Sequence, residues 1–295
     1  MNRIKADPTR FFDPTKGRPS QSPVALFRSM KDFDEEWQMM LVLGYDDRHF
    51  GPITVPGDKQ TFTTDLTSVP QLMTWLVPRT GVHLPAALIH DGLTPPERGE
   101  FVCANGAGMT QRDADRIFRD GMADLCTPPI QRWMIWSAVS IPTGAKMVPK
   151  WFAPLLYLGL LLTAYLGVMA TLDLLGVAEC VPWMRGSSVL SDTLWGLGGA
   201  LVIPLVTALP WLRAKLYTAG LISCWGIAFL LHATLVLLIA TAIYQLAEYR
   251  TQLPARLVNG KLLKGIRGRM WIAGIAGLAV IGMLTGLTIV MCRYS

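Results

Sequence analysis

Beyond Lys150 the chain almost stops using charged side chains, and that constrains its fold more than any other feature. Trp151–Leu172 runs without Asp, Glu, Lys or Arg until Asp173, and Met270–Cys292 runs without them until Arg293. Leu216–Tyr244 carries a single ionisable imidazole, His232, between its apolar residues. A soluble domain needs charge over its surface, whereas about 20 apolar helical residues cross the hydrocarbon core of a bilayer. These three runs are therefore expected to be transmembrane helices. Leu194–Leu212 holds Gly196, Gly198, Gly199, Pro204 and Pro210. It is expected to be either a short kinked span or a re-entrant hairpin, since broken backbone is tolerated where other helices cover it. Residues 151–295 thus form a transmembrane domain of three or four spans.

Orientation follows from the loop Gln245–Arg269, whose basic residues are Arg250, Arg256, Lys261, Lys264, Arg267 and Arg269. Loops rich in Lys and Arg stay on the cytoplasmic side. Four spans would put the N-terminal part outside; three spans and a re-entrant segment would put it inside. Met1–Arg18 has no apolar core of the secretory kind, which favours a cytoplasmic head. The formal net charge of +6 owes much to this one loop, so nucleic acid is not an expected partner. A lone intramembrane histidine such as His232 is most simply a neutral ring bonded to a neighbouring helix. Gly274, Gly277, Gly282 and Gly286 on the last run suit close helix packing. The expected partners are the bilayer, a second copy of the chain, and other membrane or virion proteins.

The first half is polar. Residues 1–30 are rich in Pro, Arg and Ser and read as a flexible arm; residues 31–148 read as a soluble α+β domain. Trp37–Tyr45 and Ile53–Val55 are strand-like, with turn residues between them. Pro70–Pro78 is apolar and bounded by prolines. A helix is expected to begin at Pro85, where a first-turn proline is at home, and to run through Asp91. A second opens at Thr110, with Asp113 three residues on in the manner of a capping box. Its apolar stripe is Ala114, Ile117, Phe118, Gly121, Met122 and Leu125, recurring at helical spacing. Arg132–Val139, with Trp133 and Trp136, reads as a third helix. Of five cysteines, Cys180, Cys224 and Cys292 sit in or beside apolar runs, and Cys103 and Cys126 are expected to be free thiols.

Three places in this domain could carry chemistry: Asp65, the pair His90-Asp91, and Asp115. Ala86 and Ala87, one turn before His90, would let another element approach the imidazole. Two antiparallel helices packed through these faces would set Asp115 against His90, where a carboxylate fixes the imidazole tautomer and supports it as a general base. Asp91 points about 100° away on the same helix and is free to hold a hard cation. The blander alternatives are that Asp65 closes a turn and that Asp115 pairs with Arg112, Arg116 or Arg119. A metal-dependent phosphohydrolase would need His83 or His49 as further ligands. No phosphate-binding loop, dinucleotide glycine pattern or zinc cluster is present.

Several stretches between Trp37 and Gly144 resemble a phage and prophage family of unknown function, DUF1353. They are Ile53–Pro56, Thr64–Pro70, Ala87–Leu93, Arg112–Phe118 and Arg132–Gly144. The order of elements is similar to that of phospholipase A2 enzymes. That resemblance implies a lipid ester hydrolase with His90 and Asp115 as catalytic residues, and calcium as cofactor on Asp91 with Asp65. Thr94 stands where those enzymes have tyrosine, and their glycine-rich calcium loop has no counterpart. The alternative is a non-enzymatic phage membrane or structural protein whose His-Asp core is structural.

Overall fold

The computed structural model describes residues 6–16, 26–28, 37–57, 62–64, 78, 80–94, 101–106, 108–177, 179, 181–184, 188–230, 240 and 243–244. Asp65, His232, the loop Gln245–Arg269 and the run Met270–Cys292 lie outside the described residues. The chain divides into two compact units after Thr143.

The first unit holds two small antiparallel sheets. Strands β1 (Phe11–Phe12), β4 (Leu43–Asp47), β5 (Gly51–Val55) and β7 (Val102–Cys103) make one, in the order β1-β4-β5-β7. Strands β2 (Leu26–Arg28), β3 (Trp37–Met39) and β6 (Thr63–Thr64) make the other, in the order β2-β3-β6. The stretch expected to be one strand from Trp37 to Tyr45 is thus two strands in two sheets. The Pro- and Arg-rich N-terminal stretch contributes β1 and β2.

The β4–β5 hairpin turns through Arg48, His49 and Phe50, with Asp47 opposite Gly51. Asp47 Oδ2 accepts the backbone N–H groups of His49 and Phe50, at 2.9 and 3.0 Å. Gly51 has φ +75°, the left-handed conformation that three-residue hairpin loops place at their end. Tyr45, Ile53 and Val55 of this hairpin are fully buried.

Helix α1 (Leu84–Leu93) starts with Pro85 in its first turn, as expected, and lies on β5. A Cβ on Gly92 would stand 2.3 Å from Val55 Cγ1, so only glycine permits the approach. Thr94 ends the helix and donates its hydroxyl to the carbonyls of His90 and Asp91. Helix α2 (Gln111–Asp124) has the anticipated capping box: Thr110 and Asp113 exchange bonds between side chain and backbone. Its apolar stripe is buried from Ala114 to Met122, with Leu125 half-buried at the C-cap, and Gly121 meets Ala86 of α1 and Phe11 of β1. Since Gly121 faces Ala86 while Asp115 faces His90, α1 and α2 run antiparallel. Helix α3 (Pro129–Lys146) extends beyond the expected Arg132–Val139 and accommodates Pro142 within it.

In the second unit, α4 (Ala153–Leu174) coincides with the first expected span to within two residues. Helix α5 (Val189–Thr207) is continuous past Pro204 and closes in the short turn Leu209–Leu212, so the segment is one helix and not a re-entrant hairpin. Among the described residues two helical segments are long and apolar enough to cross a membrane: Ala153–Leu174, with 22 residues, and Val189–Leu212, with 24. A shorter apolar helix, α6, covers Tyr217–Leu230. Helices α4 and α5 touch backbone to backbone at Gly159, where a Cβ would stand 2.2 Å from the Thr207 carbonyl oxygen. Thr163 and Thr207 bond hydroxyl to hydroxyl beside that point, at 2.8 Å.

Candidate functional site

His90 sits in the last turn of α1 and Asp115 in the second turn of α2. Antiparallel packing brings them together: His90 Nε2 lies 2.9 Å from Asp115 Oδ1. The carboxylate side chain is 2% exposed and the imidazole 12%. The ring of Phe118, one turn beyond Asp115, stacks on the imidazole, with centroids 4.9 Å apart and planes 29° apart. Gln111, one turn before Asp115, directs its amide Nε2 to the same Oδ1 at 3.5 Å.

Two of the competing partners of Asp115, Arg116 and Arg119, are occupied elsewhere. Arg116 makes a two-pronged pair with Asp47, at 3.0 and 3.0 Å, and reaches Asp120 at 3.4 Å. Arg119 binds Asp120 at 2.8 Å and lies over the rings of Trp133 and Trp136. Neither guanidinium is given to Asp115, which leaves its carboxylate for the imidazole. A third buried pair joins Arg48 to Asp124 at 2.6 and 2.8 Å, with the Tyr45 hydroxyl donating to the same carboxylate. Burial raises the Asp47 carboxyl, but the Arg116 guanidinium and the hairpin N–H groups outweigh it and hold the group below its ordinary value. This clasp of hairpin and helix was invisible in the sequence. Asp47 and Arg116 are 69 positions apart, and only the folded register brings them together.

The other expected residues are placed differently. Asp91 turns away from His90 and accepts the Thr64 hydroxyl at 2.6 Å, tying β6 to α1. Asp65, its expected companion, is outside the described residues. Among the described residues no group of three or more His, Cys, Asp or Glu could hold a metal ion, so they do not make a calcium site by themselves. His83 stands at the N-terminus of α1, two turns from His90, and is 1% exposed. Its ring is buried, and burial lowers its basicity against a smaller opposing contribution from the Pro78 backbone, which marks it as a core residue. His49 lies in the β4–β5 turn. The ligand set of a His-Asp phosphohydrolase is not assembled by these residues.

The pairing has a definite chemical meaning. A carboxylate at 2.9 Å holds the proton on Nε2, and the lone pair then resides on Nδ1. A histidine so fixed can take a proton at Nδ1 while its cation is stabilised through Nε2. Comparison with known families falls on this same stretch. Residues 37–139 match the model of a family described as a protein of unknown function (DUF1353). The match spans β3 to most of α3 and includes both His90 and Asp115. No curated protein and no solved structure matches the chain. Residues 37–139 are therefore similar to a family whose description assigns no activity, and the chemistry must be argued from the site.

Proposed function

We propose that this is a multi-pass membrane protein of phage or prophage type whose N-terminal unit is a phospholipase A2-like lipid ester hydrolase. The observation that carries the chemistry is the 2.9 Å contact of His90 Nε2 with Asp115 Oδ1. His90 Nδ1 withdraws a proton from a water molecule as that water adds to the ester carbonyl carbon. The same proton then passes to the departing alkoxide when the acyl C–O bond breaks, giving a fatty acid and a lysolipid. Asp115 stays ionised and steadies the imidazolium. If calcium is a cofactor, Asp91 would be the described residue that holds it, and the ion would supply polarisation of the ester carbonyl.

The membrane part of the proposal is supported by exposure. The most apolar window of Val189–Leu212 is only 6% buried, and that of Ala153–Leu174 is 33% buried. The core helix of a soluble protein would hide such a surface, whereas hydrocarbon solvates it. With the basic loop Gln245–Arg269 on the cytoplasmic side, the head lies in the cytoplasm if two of the three preceding apolar segments cross the bilayer and outside it if all three cross. Labelling of Gly260→Cys by an impermeant thiol reagent in intact cells, in a background free of other cysteines, checks the loop. No labelling is expected, and labelling reverses the orientation.

The hydrolase is tested with the full chain in detergent, following fatty-acid release from phosphatidylglycerol and phosphatidylcholine micelles with and without calcium. His90→Asn is expected to lower release by about 10²–10⁴-fold, the usual contribution of a general base. Release by the wild type no greater than by His90→Asn under every cation condition would sink the hydrolase. The second reading, a structural His-Asp pair in a non-enzymatic membrane protein, is favoured by the stacking of Phe118 over a mostly buried ring. It predicts that His90→Asn lowers thermal stability and changes no release.

A further inference from the structure

We infer that Gln111 is a positioning residue for the His90–Asp115 pair, and that its Oε1 and Asp115 Oδ2 share one bound water molecule. The inference extends the reading of His90 as a base, and it stands on atoms that the pair leaves unsatisfied. Asp115 Oδ1 receives both neighbours, the imidazole at 2.9 Å and the Gln111 amide at 3.5 Å. Asp115 Oδ2 is buried and meets no donor among the described residues. Gln111 Oε1, on the amide that contacts the carboxylate, is also buried and also meets none. Reversing the amide does not help, because it would set Oε1 against Oδ1, two acceptors face to face.

Two buried acceptors on groups already in contact call for a donor that brings two protons. Buried polar atoms in folded proteins are satisfied by protein or by ordered water almost without exception. A water molecule has two donors for these two acceptors, and such waters make about three hydrogen bonds. Its position is behind the ring, on the Nε2 side, away from the Nδ1 lone pair. It therefore cannot be the water that attacks an ester. Its effect is to hold the carboxylate plane, so that Oδ1 stays on the Nε2–H axis.

The test uses the full chain in detergent micelles and reads the imidazole Nε2–H proton of His90 by NMR, assigned by its loss in His90→Asn. Gln111→Leu removes both the amide donor and the water acceptor while keeping comparable bulk. Solvent exchange of the Nε2–H proton is expected to speed about tenfold, the scale of one net hydrogen bond. A magnetisation-transfer peak from the Gln111 amide protons to a long-lived water is expected in the wild type. Unchanged Nε2–H exchange in Gln111→Leu overturns the positioning role, and absence of the water peak in the wild type overturns the shared water. Should Gln111→Leu fail to fold, Gln111→Asn, which draws the amide back by one methylene, is expected to give the same faster exchange. In lipid hydrolysis Gln111→Leu is expected to lower kcat about tenfold with KM unchanged. If no hydrolysis exists at all, the proposed activity fails and the exchange result still decides the role of Gln111.

Discussion

Single residues here are decided by what they lack as much as by what they touch. His83 is buried in the core, where loss of solvent outweighs the Pro78 backbone and disfavours its charged form. Burial lowers its folded-state basicity below the usual value near 6.5. A group with a depressed folded value contributes stability above its unfolded value, and that contribution is lost as pH falls below about 6.5. The first unit is therefore expected to lose stability between pH 7 and pH 5. His83→Leu is expected to flatten that slope, with little cost at pH 7. Thermal unfolding of both proteins across this range is the measurement; equal slopes would show that His83 is not the titrating group. Cys126, in the left-handed region at φ 59°, closes α2, with its N–H on the Ala123 carbonyl and the Thr127 N–H on the Met122 carbonyl.

At the scale of elements, the hairpin and α2 are locked by two ion pairs whose carboxylates are buried, Asp47 with Arg116 and Asp124 with Arg48. Breaking one partner leaves a buried charge, which typically costs about 3–5 kcal/mol. Arg116→Met is expected to destabilise the first unit by about 3 kcal/mol and to move its acid transition to higher pH. The sign follows from Asp47. Its folded value is lowered, so its stabilisation is complete above the ordinary carboxylate range and lost as pH falls through the folded value. Without Arg116 that loss begins at higher pH, as an acid titration followed by circular dichroism would record. In the second unit, Gly159→Leu puts a side chain into the Thr207 carbonyl and is expected to separate α4 from α5. Cross-linking between cysteines placed at Thr163 and Thr207 should report it, by a yield that falls in the variant.

What the sequence disclosed at this scale is what local chemistry encodes. The capping box at Thr110, the stripe of α2 and the proline start of α1 are all properties of contiguous residues. The His90–Asp115 approach was legible because two amphipathic helices with small residues on facing sides pack in few ways. The two-residue strands were not, since β1 and β7 exist only through the partners they pair with. Helix α5 begins at Val189, before Asp192, because an acidic residue is welcome in a first turn capped by Ser188. A span counted from the last charge misses that turn. Thr94 ties off the turn that carries His90 by donating its hydroxyl to the His90 carbonyl.

For the whole molecule the decisive fact is the pairing of a polar unit with one whose long helices are exposed. Ala153–Leu174 and Val189–Leu212 show water a surface that is apolar along its length. The chain is expected to remain with the membrane pellet after an alkaline carbonate wash, which strips proteins held by charge alone. Appearance in the supernatant would remove the bilayer from the account.

The imidazole and its carboxylate come from two helices, joined by 17 intervening residues, from 94 to 110. Neither helix alone has a fixed tautomer to offer. On the proposed reading of His90, the carboxylate-supported imidazole is complete only once α1 and α2 have packed together. If His90 acts as proposed, any activity would await the folding of the first unit.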